Sequence, residues 1–227
     1  MNAWGYVVII ILSIGVFAGI LFARGRLMKS LSKLLYNDHQ PEEFLTKING
    51  FWGKIFFSKQ TRLFQSLDAY FMCEDFEQVE NTFKSLESGK LSYGAKINLY
   101  EKEVQYYVQN KKYTEAQKAN DTLQSLGKQI SSPEMDRILL ESSTLIKIYV
   151  DHDGSVAKDM VALAEQASQK GMKGLYYYRA AKCYNYQSDR ANTIKFLEKA
   201  QQNLSSSKEW DTHIEKCLKD FSALEEK

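Results

Sequence analysis

Apolar positions fall into three regimes along this chain. Trp4 to Ala23 is an unbroken apolar run without a charged side chain, followed at once by Arg24, Arg26, Lys29 and Lys33. Leu27, Met28, Leu31, Leu34 and Leu35 then recur at helical spacing with lysines between them. Beyond residue 60, apolar residues return in helix-length blocks with a 3.6-residue period, separated by short polar turns. No stretch alternates apolar and polar residues long enough to predict a sheet, and proline is confined to Pro41 and Pro133. The expected fold class is therefore all-α: an N-terminal transmembrane helix followed by a solenoid of helical hairpins.

Twenty helical residues at about 1.5 Å rise span about 30 Å, the hydrocarbon thickness of a bilayer. A cleaved leader would need a basic residue before a shorter apolar core and a small-residue cleavage site. Only Met1-Asn2-Ala3 precede this run, and Phe22-Ala23-Arg24-Gly25 is a poor site. Residues 1–23 are thus expected to be a retained anchor, with Trp4 near one interface and Arg24 and Arg26 at the other. The basic cluster after the span places the C-terminal domain in the cytoplasm of a single-pass cell-membrane protein. Gly15 and Gly19 form a GxxxG, a motif that lets two helices approach closely but also recurs by chance in apolar segments. It leaves homo-oligomerisation through the transmembrane helix as one reading and a lipid-facing pair as the commoner one.

Residues 24–59 form a basic juxtamembrane segment. The Leu27–Leu35 stripe either lies on the leaflet, lysines toward anionic headgroups, or continues as a packed helix. The break at Asn37-Asp38-His39-Gln40 precedes a helix start at Pro41-Glu42-Glu43. The aromatic stripe Phe44, Phe51, Trp52, Phe56 and Phe57 reads as core rather than as a membrane-dipping surface.

From Gln60 the blocks repeat. Tyr100, Tyr107, Tyr113 and Ala116 set a pattern of a large residue, an aromatic seven later, a polar turn, then a small residue. It returns at Tyr177, Tyr184, Asp189 and Ala200, and at Leu63, Tyr70, Asp75-Phe76 and Phe83. This spacing resembles the tetratricopeptide repeat, a helix–turn–helix of 34 residues that stacks into a curved solenoid. Units begin near Gln60, Ile97, Leu139 and Gly174 and occupy 60–207, with 208–227 as a capping helix whose Trp210, Ile214, Leu218 and Phe221 point inward. The first unit has Val79 where a small residue belongs, and the third places Ala164 and Ala167 as if its turn were longer.

The resemblance implies that first helices line a concave face able to receive a protein or peptide ligand. Carried over by position, the expected partner-binding residues are Lys102, Gln105, Lys147, Tyr178, Arg179, Lys182 and Asn185. Phe64 and Asp68 stand where chaperone-clamping members carry other residues. The expected face also includes Gln65, Phe71 and Met72 beside Phe64 and Asp68, then Asn98, Glu101 and Gln109, Ser143, Thr144 and Asp151, and Tyr186.

Charge and chemistry narrow the function. Residues 24–62 are net +5 and the rest of the body is net −3, so nucleic acid is not an expected partner; the lipid bilayer and a protein are. Cys73, Cys183 and Cys217 are odd in number and far apart, which fits neither a disulfide framework nor a zinc site. His39, His152 and His213 are scattered, and no catalytic or cofactor-binding motif is present. Asp151-His152-Asp153-Gly154 lacks the later acidic ligands of a calcium loop. No enzyme activity, cofactor or metal is expected. The chain reads as a membrane-anchored adaptor or scaffold. The alternative is an outward-facing, chaperone-like accessory factor for secreted or envelope proteins, although such proteins usually carry their basic residues before the span.

Overall fold

In the computed structural model the backbone is described for residues 3–226 and the side chains for residues 14–226. Among these the secondary structure is entirely helical. The chain divides into two compact units, residues 1–92 and 93–227.

In the first unit, α1 (Ala3–Ser32) runs into a wide turn at Lys33–Asn37, followed by α2 (Pro41–Ile48), α3 (Phe51–Phe56), α4 (Lys59–Met72) and α5 (Phe76–Glu87). Leu31, Leu34 and Leu35 are buried against Phe44, Ile48, Phe57 and Ala69, with Leu27 and Met28 packed at the edge. The leucine stripe is therefore protein core, which decides between its two sequence readings in favour of packing. Tyr36 ties this core to the first hairpin by donating to Asp68 at 2.7 Å. The aromatic stripe splits. Phe44 and Phe57 are buried as expected, but Phe51 and Trp52 are exposed, which corrects the reading of the whole stripe as core. From Ile14 to Phe22 the large side chains of α1 are also exposed. An added Cβ at Gly15 or Gly19 meets nothing within 4 Å. No helix among the described residues is long and apolar enough to cross a membrane. Positions 4–13 of the expected span, Trp4 included, lie outside the residues whose side chains are described.

The second unit holds three helix–turn–helix units: α6 (Tyr93–Gln109) and α7 (Tyr113–Gly127), α8 (Pro133–Tyr149) and α9 (Ala157–Gln166), and α10 (Lys170–Tyr186) and α11 (Arg190–Leu204). The first and last pack as pairs, whereas α9 packs on α10 rather than back on α8. Small residues sit at the close approaches: Ala116 and Ala119 in α7, Ala157 and Ala164 on α9 in the core shared with α10, and Ala200 in α11 are all buried.

All four hairpins turn the same way. Glu74, Lys111, His152 and Ser188 each adopt positive φ, between 52° and 59°. They are spaced 37, 41 and 36 residues apart. A single left-handed residue reverses the chain while the next backbone N–H reaches back into the first helix, as from Asp75 to the Tyr70 carbonyl and from Asp189 to the Tyr184 carbonyl. Asp75 and Asp189 then cap the following helices by accepting from Gln78 N–H and Asn192 N–H. The third turn is longer, as its shifted alanines predict: a short 3-10 segment, Gly154–Val156, intervenes before α9. It packs so closely on α10 that a Cβ at Gly154 would collide with the Cys183 carbonyl.

The C-terminal cap departs from expectation. The helix α12 (Lys208–Lys219) stops short of the expected 208–227 cap, at Asp220, where the backbone is extended. The Asp220 carboxylate accepts from Ser222 N–H at 2.9 Å, which favours a turn over continued helix. Residues Phe221–Glu226 form a separate 3-10 turn that buries Ala223 and Leu224.

Candidate functional site

Within the second unit, the first helices of its three hairpins line a groove of about 700 Å³. Its apolar wall comes from Val104 and Val108 of α6, Ile138 and Leu145 of α8, and Leu175 of α10. Trp210 of α12 and Glu225 of the last turn close it. Each helix contributes a stripe at spacings of three and four, the outcome of one helical face turned toward one side.

Of the expected partner-binding residues, Gln105, Tyr178, Arg179 and Lys182 line the groove, as do Glu101 and Gln109 beside them. Lys102, Lys147 and Asn185 are not among its lining residues. For the third hairpin the lining is Glu141, Ser142, Leu145 and Tyr149. Aligned on its left-handed turn residue His152, this helix presents Ser142, Leu145 and Tyr149 at the offsets that Glu101, Val104 and Val108 hold before Lys111.

Charges of both signs line the groove, including Lys111, Glu209 and Glu226, and two clusters organise them. The acidic one joins α6 and α8. Arg137 donates to Glu134 at 2.7 Å and to Glu141 at 2.6 Å, and Tyr176 donates to Glu141 at 2.7 Å. Partial burial, with the Glu141 carboxylate adding to it, pushes the Glu101 carboxyl above the usual range. A cation placed there would relieve that repulsion.

The second is mixed and centred on α10, whose Arg179 and Lys182 share the groove with Glu209, Glu225 and Glu226. Lys182 is buried, its side chain 3% exposed. Its Nζ donates to the Leu224 carbonyl and lies 3.5 Å from the Glu225 carboxylate. The ammonium also lies 5.1 Å from the Tyr149 ring centroid and 5.9 Å from that of Tyr186. Burial pulls the Lys182 pKa below the ordinary lysine value, against the pull of Glu225. Tyr178 is buried too: its hydroxyl is 2.8 Å from His213 Nε2 and its ring meets Trp210 edge-on at 5.1 Å. The buried Tyr178 and Lys182 therefore anchor the C-terminal segment on this face. Arg179, half-buried over the Tyr176 ring at 5.8 Å, retains access to the groove.

No group of His, Cys, Asp and Glu among the described residues is arranged to hold a metal ion. Cys183 and Cys217 are buried thiols, and burial pushes them up to about 12 and about 11. Compared with known protein families, curated proteins and solved structures, the chain gives no match.

Proposed function

We propose that this chain is a membrane-anchored adaptor of tetratricopeptide-like architecture whose groove takes a peptide segment of a partner protein. One observation carries the reading: three consecutive inner helices converge on a groove of about 700 Å³ with an apolar wall, a carboxylate pair and an accessible guanidinium. An apolar wall gives affinity to a peptide's hydrophobic side chains, and a few fixed polar groups set its register. Arg179 can take a carboxylate with two parallel hydrogen bonds, while Glu101 and Glu141 favour a basic side chain. The bound segment is accordingly one with both signs of charge flanking apolar residues. The anchor rests on the charge-free run Trp4–Ala23 within α1 and on the basic residues that follow it.

Photo-crosslinking amino acids at Gln105 and Gln109, with Lys195 on α11 as the control, test the groove in cells. Adducts from the first two positions and none from Lys195 are expected; equal adducts, or none, refute it. A cysteine at the exposed Ser88, probed with a membrane-impermeant thiol reagent, should stay unlabelled in intact cells if the body is cytoplasmic. Labelling without lysis would instead place it outside.

A further inference from the structure

The short helix α3 carries a cluster of apolar side chains that its own unit does not cover. Phe51, Trp52 and Ile55 are 70%, 59% and 56% exposed, whereas Phe44 and Phe57 of the same segment are buried. Backbone packing explains the division. Gly53 is buried at the end of α2, so close that a Cβ there would collide with the Ile48 carbonyl. With Gly53 turned inward, Phe51 and Ile55, four residues apart, are turned outward on the opposite side of α3. Trp52 joins them, its ring edge-on to Phe51 at 5.2 Å and stacked on Phe56 at 5.8 Å. Lys54 is exposed within the cluster.

Two further observations say what covers it. The Arg24 guanidinium lies 5.6 Å from the ring centroid of Phe57, the residue that ends α3. That contact sets α3 beside the place on α1 where the charge-free run gives way to Arg24, Arg26 and Lys29. Just before this place, α1 leaves Phe17, Ile20, Leu21 and Phe22 exposed. Apolar surface thus continues from α1 to the level of α3, and the flanking side chains are cationic, within a segment of net charge +5.

We infer that α3 is an interfacial foot, with Phe51, Trp52 and Ile55 entering the headgroup–acyl boundary of an anionic bilayer. The inference rests on the anchor reading for its orientation, with the foot held where α1 leaves the hydrocarbon. Tryptophan and phenylalanine partition to that depth, and lysine or arginine beside them meets lipid phosphate. The foot makes a second attachment next to the first, and so limits rotation of the first unit about α1.

The test uses the full chain with Cys73→Ser, reconstituted in vesicles of phosphatidylcholine and phosphatidylglycerol in equal parts. An environment-sensitive fluorophore is placed singly through Ile55→Cys, Phe17→Cys or Glu77→Cys; Cys183 and Cys217 are buried. Lipids carrying a doxyl quencher near the headgroup or deep in the chain then read depth. The Ile55 label should be quenched several-fold more by the shallow quencher than by the deep one. The deep quencher should act on the Phe17 label, and neither should act on Glu77 in α5. Phe51→Ser with Trp52→Ser should release the Ile55 label, with helicity by circular dichroism confirming the fold. A quenched Phe17 label with an unquenched Ile55 label overturns the foot and leaves the anchor standing. Quenching at Ile55 without quenching at Phe17 keeps the foot and removes the anchor; quenching at neither overturns both. An Ile55 label shielded from water but unquenched, with Ile55→Cys chains cross-linking to each other, overturns the foot in favour of a second copy.

Discussion

Lys182→Met removes the charge that pins the C-terminal turn while keeping most of the stem, so it isolates the ammonium. Three contributions are lost. The Leu224 carbonyl, on a fully buried residue, loses its closer donor and keeps only the Tyr178 hydroxyl at 3.5 Å, which costs about 1–3 kcal/mol. The ammonium's approach to the Tyr149 and Tyr186 rings is worth about 0.5–2 kcal/mol. The ion pair with Glu225, whose side chain is 45% exposed, adds roughly 0–1 kcal/mol after solvent screening. Against these stands relief of the cost of burying a charge, the cost that lowers the Lys182 pKa. The net expectation is a loss of about 1–3 kcal/mol near neutral pH. The pH dependence has a defined sign. Between the lowered folded pKa and the usual lysine value the unfolded chain binds more protons, so this lysine makes wild-type stability rise with pH. Methionine cannot, so the gap between wild type and variant should widen as pH rises toward the usual lysine value of about 10. Urea titrations followed by Trp210 fluorescence, in a Trp4→Phe, Trp52→Phe background, measure both quantities. A gap under about 0.5 kcal/mol, within the range of a surface substitution, or one that shrinks as pH rises, would refute the clamp.

In strong base the whole chain should lose stability. Burial holds the Cys183 thiol up to about 12 and that of Cys217 up to about 11, and partial desolvation beside the Asp68 carboxylate holds the half-exposed Tyr36 hydroxyl up to about 12, while the unfolded chain ionises at about 8.5 to 10. Their stabilisation is fully present below that range and lost as pH rises from it through the folded values, and Cys183→Ala should flatten the decline seen in urea midpoints. At the last hairpin turn, where Ser188 has φ of 59°, Ser188→Val should cost about 1–2 kcal/mol and Ser188→Gly should cost nothing. A Ser188→Val midpoint equal to wild type would contradict the left-handed turn. Gly154→Ala, which drives a Cβ into the Cys183 carbonyl, should lower stability by about 1–3 kcal/mol, read from thermal melts by circular dichroism.

Much of the architecture was legible because it follows from spacing. The unit starts at Gln60, Ile97, Leu139 and Gly174 anticipate left-handed turns at Glu74, Lys111, His152 and Ser188. What spacing does not carry is which residue adopts positive φ, since a glutamate, a lysine, a histidine and a serine all do so here without a glycine signal. Lacking that landmark, the inner face of the third hairpin was displaced to Ser143, Thr144 and Lys147. His152 sets it at Ser142, Leu145 and Tyr149. Lys182 was expected on the partner-binding face, and residues 208–227 as one capping helix, so its burial under the last turn was not foreseen. The available signal was Asp220-Phe221-Ser222, an aspartate able to cap the chain two residues on. The aromatic stripe was misread for a different reason. Periodicity does not say that Gly53 rather than Phe51 faces the core; that depends on the close approach to Ile48.

The central claim, that the groove receives a partner peptide, is tested most directly by the affinity of the segment identified by crosslinking from Gln105. With purified full-length chain in detergent, a synthetic peptide of that segment should bind wild type and Lys195→Glu alike. Arg179→Glu should weaken it about ten- to a hundredfold, the equivalent of a charge-assisted hydrogen bond of about 1.5–3 kcal/mol. Helicity should be unchanged, because Arg179, unlike Lys182, is not wholly buried. Equal affinity for wild type and Arg179→Glu, or equal damage from Lys195→Glu, would contradict the account.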